Sequence, residues 1–150
     1  MTPRMNIAAE APALYRTIRA MDGQIMESGL DPALLHLVKL RASQINGCAF
    51  CVDMHVQEAL EIGVPAQKLH LVAVWRESPI FTAKERAALR WTESLTHISA
   101  TGAPDGDYEA VRAEFSKAEL AVLTVAIGAI NMLNRMGVAA RLQHPNRERG

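Results

Sequence analysis

Residues 116 to 143, "SKAELAVLTVAIGAINMLNRMGVAARLQ", constrain the fold more than any other stretch. Ser116 followed by Glu119 is a capping box, so the run opens as a helix. Between Ala118 and Ile130 apolar residues fall on nearly every side of that helix. A helix apolar all round is either central in a core or shared with another subunit. In a chain of this size some of each is expected, and hence a homo-oligomer; a merely well-buried core helix is the plainer alternative. Asn131, Asn134 and Arg135 interrupt the apolar run, which argues against a membrane span.

The remaining pattern is helical as well. A first helix is expected from Pro12 to about Met26. Asp31 reads as an N-cap, with Pro32 at the first helical position of "PALLHLVKLRASQI". "NG" at 46–47 breaks or bends that helix. A third carries "CAFCVDMHVQEALEI" and stops at Gly63, with Pro65 beyond it. A fourth runs roughly from Ala66 to Arg76. "TAKE", 82 to 85, is another capping box and starts the fifth, which continues through "RAALRWTESLTHI". "SATGAPDGD" reads as the one long loop, before a short helix in "YEAVRAEF". No alternating strand pattern, repeat or second domain is found. Residues 1–150 are expected to form a single all-α domain of about seven helices.

Of the 150 residues, 49% are hydrophobic and 21% charged, with a net charge of zero. That balance fits a soluble globular chain and supplies no basic patch for nucleic acid. The tail "RLQHPNRERG" reads as a solvated terminus. No apolar leader pattern opens the chain, so a cytoplasmic protein without membrane attachment is expected. In that compartment a CxxC pair binds metal or is redox-active, and is not a structural staple.

Both cysteines lie in "SQINGCAFCVDMH", as Cys48 and Cys51, with His55 four residues after the second. On a helical wheel both sulfurs and the imidazole fall on the inward arc, while Asp53, Gln57 and Glu61 face away. Residues three apart on a helix sit about 5 to 6 Å apart, within reach of a disulfide. The first turn of a helix favours a thiolate. His55, one turn below Cys51, can take its proton. A thiolate beside a resolving thiol suits peroxide reduction through a sulfenic acid and then a disulfide. Packing alone is the plainer reading of two cysteines and a histidine on an apolar face.

Zinc is the other reading, with His36, Cys48, Cys51 and His55 as ligands. Cys48 and His55 would lie about 10.5 Å apart along a straight helix, too far for one ion unless "NG" bends the backbone. No metal is therefore assigned. A thioredoxin-type site needs a βαβ context that is missing here.

At these residues the sequence resembles the alkylhydroperoxidase/carboxymuconolactone decarboxylase family, in its alkylhydroperoxidase D-like branch. The resemblance rests on "LVKLRASQINGCAFCVDMH", "ESPIFTAKERAALRWTESLT" and "FSKAELAVLTVAIGAINMLNR", and so covers most of the chain. It implies an all-helical fold assembled as trimers or hexamers, and a thiol peroxidase acting on organic hydroperoxides. By the family pattern Cys51 is the peroxidatic sulfur. Cys48 is the resolving sulfur and the point of exchange with a reductant, and His55 relays the proton. The decarboxylase branch lacks the CxxC pair, so its lactone chemistry is not carried over.

One position departs from the pattern. Twelve residues before the first cysteine the family usually has a glutamate; here that residue is His36. Either His36 substitutes as a base, its protonated form lowering a thiol pKa, or the relay is weakened and the natural reaction is dithiol–disulfide exchange. Glu58, three residues after His55, is a candidate to orient that ring. With no GxGxxG and no P-loop, no cofactor is expected, and electrons should come from an external dithiol, a protein or a lipoamide-like group. A zinc-stabilised or purely structural helical oligomer is the non-enzymatic alternative. Trp75 and Trp91 read as core, His97 and His144 as incidental. Met21, Met26, Met54, Met132 and Met136 are candidates to line an apolar pocket.

Overall fold

The computed structural model describes residues 1–146 and is all-helical over them. The elements are α1 (Ile7–Glu10), α2 (Pro12–Met26), α3 (Pro32–Asn46), α4 (Ala49–Glu61) and α5 (Ala66–Leu71). After α5 a 3-10 segment spans Val72–Glu77, followed by α6 (Ala83–Thr96), α7 (Ile98–Thr101), α8 (Asp105–Glu114) and α9 (Lys117–Ala140). The seven expected helices are present, the fourth tightening into the 3-10 segment where Val74 leaves helical geometry (φ −122°, ψ 28°).

Two short helices were not expected. Asn6 caps α1 by accepting a hydrogen bond from the Ala9 N–H, and α7 takes up part of the loop read from "SATGAPDGD". The last helix also stops sooner than expected. Arg141 adopts a left-handed conformation (φ 56°), and the Leu142 N–H returns to the Gly137 carbonyl. The tail read as solvated extends past the described residues at 147–150.

The helix starts follow their sequence signals. Thr82 with Glu85, and Ser116 with Glu119, form reciprocal capping boxes, and the Asp31 carboxylate accepts from the Ala33 N–H.

The centre of the molecule is α3, packed against α4, α6 and α9. Its Leu34, Leu35 and Val38 join Trp91, Leu123 and Ile127 in one core cluster. Its Leu37 and Leu40 join Ala59, Val72, Trp75 and Leu89 in the other. Trp75 and Trp91 are thus core residues, as expected. The long helix α9, expected to be partly core and partly shared with another subunit, buries one face and leaves Val125 and Val138 half-exposed. By length and composition α9 could cross a membrane, but its other face packs on α2, α3 and α6.

Two polar features hold α3 in place. Lys39 is fully buried, and its ammonium bonds the Asp22 carboxylate of α2 at 2.5 Å. A buried charge is tolerated only when paired in this way. At the other end of α3, the Asn46 amide donates to the side-chain oxygens of Asn131 and Asn134 on α9, 3.0 Å each. The Asn134 amide in turn donates to the Ser43 hydroxyl at 2.9 Å. Asn131 and Asn134 are thus interhelical contacts that lock the α3–α4 turn onto α9.

Candidate active site

The site begins at that turn. Gly47 sits in the left-handed region (φ 68°), which costs glycine little. The Cys48 N–H reaches back to the Ser43 carbonyl and the Gly47 N–H to that of Gln44, the paired bonds of a Schellman stop. α4 starts at once: Cys48 is its N-cap, and its sulfur accepts from the Cys51 N–H at 3.3 Å. Cys48 and Cys51 form a disulfide, with Cα atoms 5.3 Å apart. "NG" therefore ends one helix and aims both sulfurs at the N-terminus of the next, where the helix dipole favours a thiolate once the bond is reduced.

The sulfurs lie against α9 at a residue that sequence reasoning missed. A Cβ placed on Gly137 would come 2.9 Å from the Cys48 sulfur and 3.6 Å from that of Cys51. Only a glycine leaves room there. The available signal was a glycine inside an otherwise apolar helical run.

Cys51, and not Cys48, borders an apolar cavity of about 370 Å3. Phe50 and Met54 of α4, Ile130, Leu133 and Met136 of α9, and Ile7 of α1 supply its walls, with Tyr15 and Arg19 of α2 as polar members. Of the methionines proposed as pocket residues, Met54 and Met136 are here, while Met21 and Met26 pack on the core instead. A wider open groove of about 720 Å3 lies far from the sulfurs, by Trp75 and Arg86. Its arginines are engaged, Arg86 with backbone carbonyls, Arg76 with Glu93 and Arg90 with Asp107.

His55, one turn after Cys51, is 2% exposed, and its Nδ1 lies 3.0 Å from Glu58 Oε2. The hydrogen bond from His55 holds the Glu58 carboxyl below its ordinary range despite partial burial. The carboxylate is therefore ionised at neutral pH, Nδ1 must donate, and Nε2 is left as the ring's proton acceptor. That Nε2 is buried and has no hydrogen-bond partner among the described residues.

His36, on α3, faces the same carboxylate: its Nδ1 is 3.6 Å from Glu58 Oε2, and its ring centroid is 5.9 Å from that of His55. Burial, and next the neighbouring His55, push its pKa down. That direction works against the protonated His36 that would lower a thiol pKa. Position 36 carries no carboxylate, and the carboxylate beside His55 is that of Glu58, three residues after it. Thus Cys48, Cys51, His55 and His36 converge on the α3–α4 contact, with Glu58 added. The zinc set that included the cysteines is not formed, because the sulfurs are bonded to each other. One donor atom from each of His36, His55 and Glu58, however, all lie within 4.8 Å of one another.

Comparison with known proteins places the fold and the family. Over 139 residues the chain is 32% identical to the uncharacterized protein YdfG of Bacillus subtilis, covering 93% of this chain and 95% of that one. The crystal structure of ATU0492 from Agrobacterium tumefaciens, a protein of unknown function and candidate antioxidant defence protein AhpD, superposes with a TM-score of 0.95. It is 49% identical, over 97% of this chain and all of that one. An alkylhydroperoxidase AhpD core structure, an uncharacterized peroxidase-related protein from Ralstonia eutropha, shares the fold at a TM-score of 0.81 and 20% identity, over 93% of this chain and 74% of that one. The model of the carboxymuconolactone decarboxylase family matches residues 12–94, more than half of the sequence. The chain belongs to the carboxymuconolactone decarboxylase family.

Proposed function

We propose that the protein is a cytoplasmic thiol peroxidase that reduces organic hydroperoxides through Cys51 and Cys48. The observation that carries this reading is a CxxC disulfide whose Cys51 borders an apolar cavity, one turn from a histidine held by a carboxylate. In the reduced protein His55 Nε2 takes the Cys51 thiol proton, and the thiolate attacks the terminal oxygen of ROOH. The O–O bond breaks, Cys51 becomes a sulfenic acid, and the departing alkoxide takes a proton from His55 to leave as ROH. The Cys48 thiol gives its proton to His55 and its sulfur attacks that of Cys51; the disulfide forms, and hydroxide leaves as water with that proton. An external dithiol, a protein or a lipoamide-like group, returns two electrons and is itself oxidised to a disulfide. The cavity favours entry of apolar peroxides. The half-exposed Val125 and Val138 of α9 support assembly of several copies, a trimer or a hexamer.

Dithiol–disulfide exchange without efficient peroxidase activity is a second reading, favoured by His36 where the family usually has a glutamate. Titrating thiols in the reduced protein before and after one equivalent of cumene hydroperoxide separates the two. The peroxidase loses both thiols rapidly, and Cys51→Ser abolishes that loss. Slow loss with peroxide but rapid re-reduction of the disulfide by a dithiol would leave the exchanger.

A further inference from the structure

The imidazole side of the site has donors that thiol chemistry does not require. His36 and His55 are both more than nine-tenths buried, at 6% and 2% exposure. His36 Nδ1 lacks a hydrogen-bond partner among the described residues, and His55 Nδ1 has Glu58 as its partner. Between the rings stands Glu58 Oε2, 3.0 Å from His55 Nδ1 and 3.6 Å from His36 Nδ1. Ligands bound tetrahedrally at about 2.0–2.1 Å lie about 3.3 Å from one another, a value these two distances bracket. Lys39, whose charge is felt at His36, is held by Asp22. The Glu58 side chain is 42% exposed and gives an ion a way in.

We propose that His36, His55 and Glu58 bind a divalent transition metal of borderline softness, of which zinc is the type, leaving one coordination position open. Two imidazoles and one carboxylate suit zinc, iron(II) or cobalt(II) and discriminate against magnesium and calcium, which prefer all-oxygen sites. The ion takes His55 Nδ1 from the carboxylate, and the ring's proton moves to Nε2, which is free to receive it. A metal-bound His55 cannot relay protons. The same three residues therefore make the redox centre switchable by metal, a consequence that rests on the peroxidase reading. Metal binding itself does not, because the ligands are present while the sulfurs are bonded to each other.

The test uses the full-length protein with its disulfide intact, titrated with zinc chloride by calorimetry and with cobalt(II) by visible absorption. One ion per chain is expected, with cobalt bands of a tetrahedral nitrogen–oxygen site. Glu58→Gln, at a partly exposed position that does not threaten folding, should weaken zinc binding at least about 10-fold, and His36→Gln likewise. An oxidised protein that takes up no zinc would overturn the site, as would affinity that survives both substitutions. Binding that appears only after reduction, with a sulfur-to-cobalt charge-transfer band, would place the ion on the cysteines and overturn it equally. None of these readouts uses peroxide turnover, so failure of the site and failure of the peroxidase reading are distinguishable.

Discussion

The two sides of α4 are built on different physical principles. On the sulfur side the chain provides space: a glycine on α9, a left-handed glycine at the turn and an apolar cavity. On the imidazole side it provides charge: Glu58 between two histidines, and behind them the buried Lys39–Asp22 pair, whose charges are felt at His36. Space fails by steric overlap of a few tenths of an ångström. Charge fails by removal of a partner. The two sides should therefore respond to different substitutions and show different readouts.

The largest effect is expected on the charge side. Asp22→Asn leaves the Lys39 ammonium fully buried beside a neutral amide, and removing one partner of a buried pair costs about 3–5 kcal/mol. Urea denaturation should show that loss without a change in slope. A loss below about 1 kcal/mol would mean that Lys39 finds water or swings out, and the α2–α3 contact would not be electrostatic in origin.

On the space side, Gly137→Ala sets two effects against each other. Alanine gains about 1 kcal/mol of helix propensity over glycine. The new methyl must then be fitted 2.9 Å from the Cys48 sulfur, and such overpacking costs about 1–3 kcal/mol. A net loss of up to about 2 kcal/mol is expected, with slower closure of the disulfide after peroxide addition. Stabilisation with unaltered closure would show that the sulfurs have slack the static geometry does not reveal.

Glu58→Gln sharpens the contrast because it removes charge and keeps volume. It should slow peroxide-driven thiol loss about 10-fold, a modest share of what acid–base catalysis supplies, with little effect on stability. If Gly137→Ala and Glu58→Gln were combined, their effects on stability should add, as for sites without shared partners. Strong non-additivity would join the two sides into one unit.

The two sides also differed in how far the sequence revealed them. Helix starts at Asp31, Thr82 and Ser116, the stop at Gly47 and the pairing of Cys48 with Cys51 were all legible, because each depends on residues within a few positions of one another. Gly137 lies 86 positions from Cys51 and 89 from Cys48, and no local rule links them. The same holds for Asn46 and its partners on α9, whose polarity marked a contact without naming it. Glu58 was ambiguous for another reason: at the edge of an apolar face, its exposure depends on what α3 places opposite, and that proved to be His36. The burial of Lys39 was invisible, since a lysine in a helical run reads as solvated until its counter-charge on α2 is brought against it.

The smallest expected effect isolates the scaffold from both sides of the site. Glu119 closes the capping box of α9 with Ser116 and pairs with Lys84; Lys84 and then Ser116 hold its carboxyl down to about 2, from an ordinary value of 4.5. A carboxyl with a lowered folded-state pKa adds stability that is fully present above 4.5 and lost as the pH falls toward 2. Wild-type thermal midpoints should therefore carry a downward slope across that window, part of which Glu119→Gln removes. The box lies at the end of α9 opposite Gly137, so peroxide-driven disulfide closure at neutral pH should be unchanged in the variant. Slower closure would mean that fraying at the start of α9 reaches the sulfurs, and the space on their side would then depend on the whole helix as well as on one glycine.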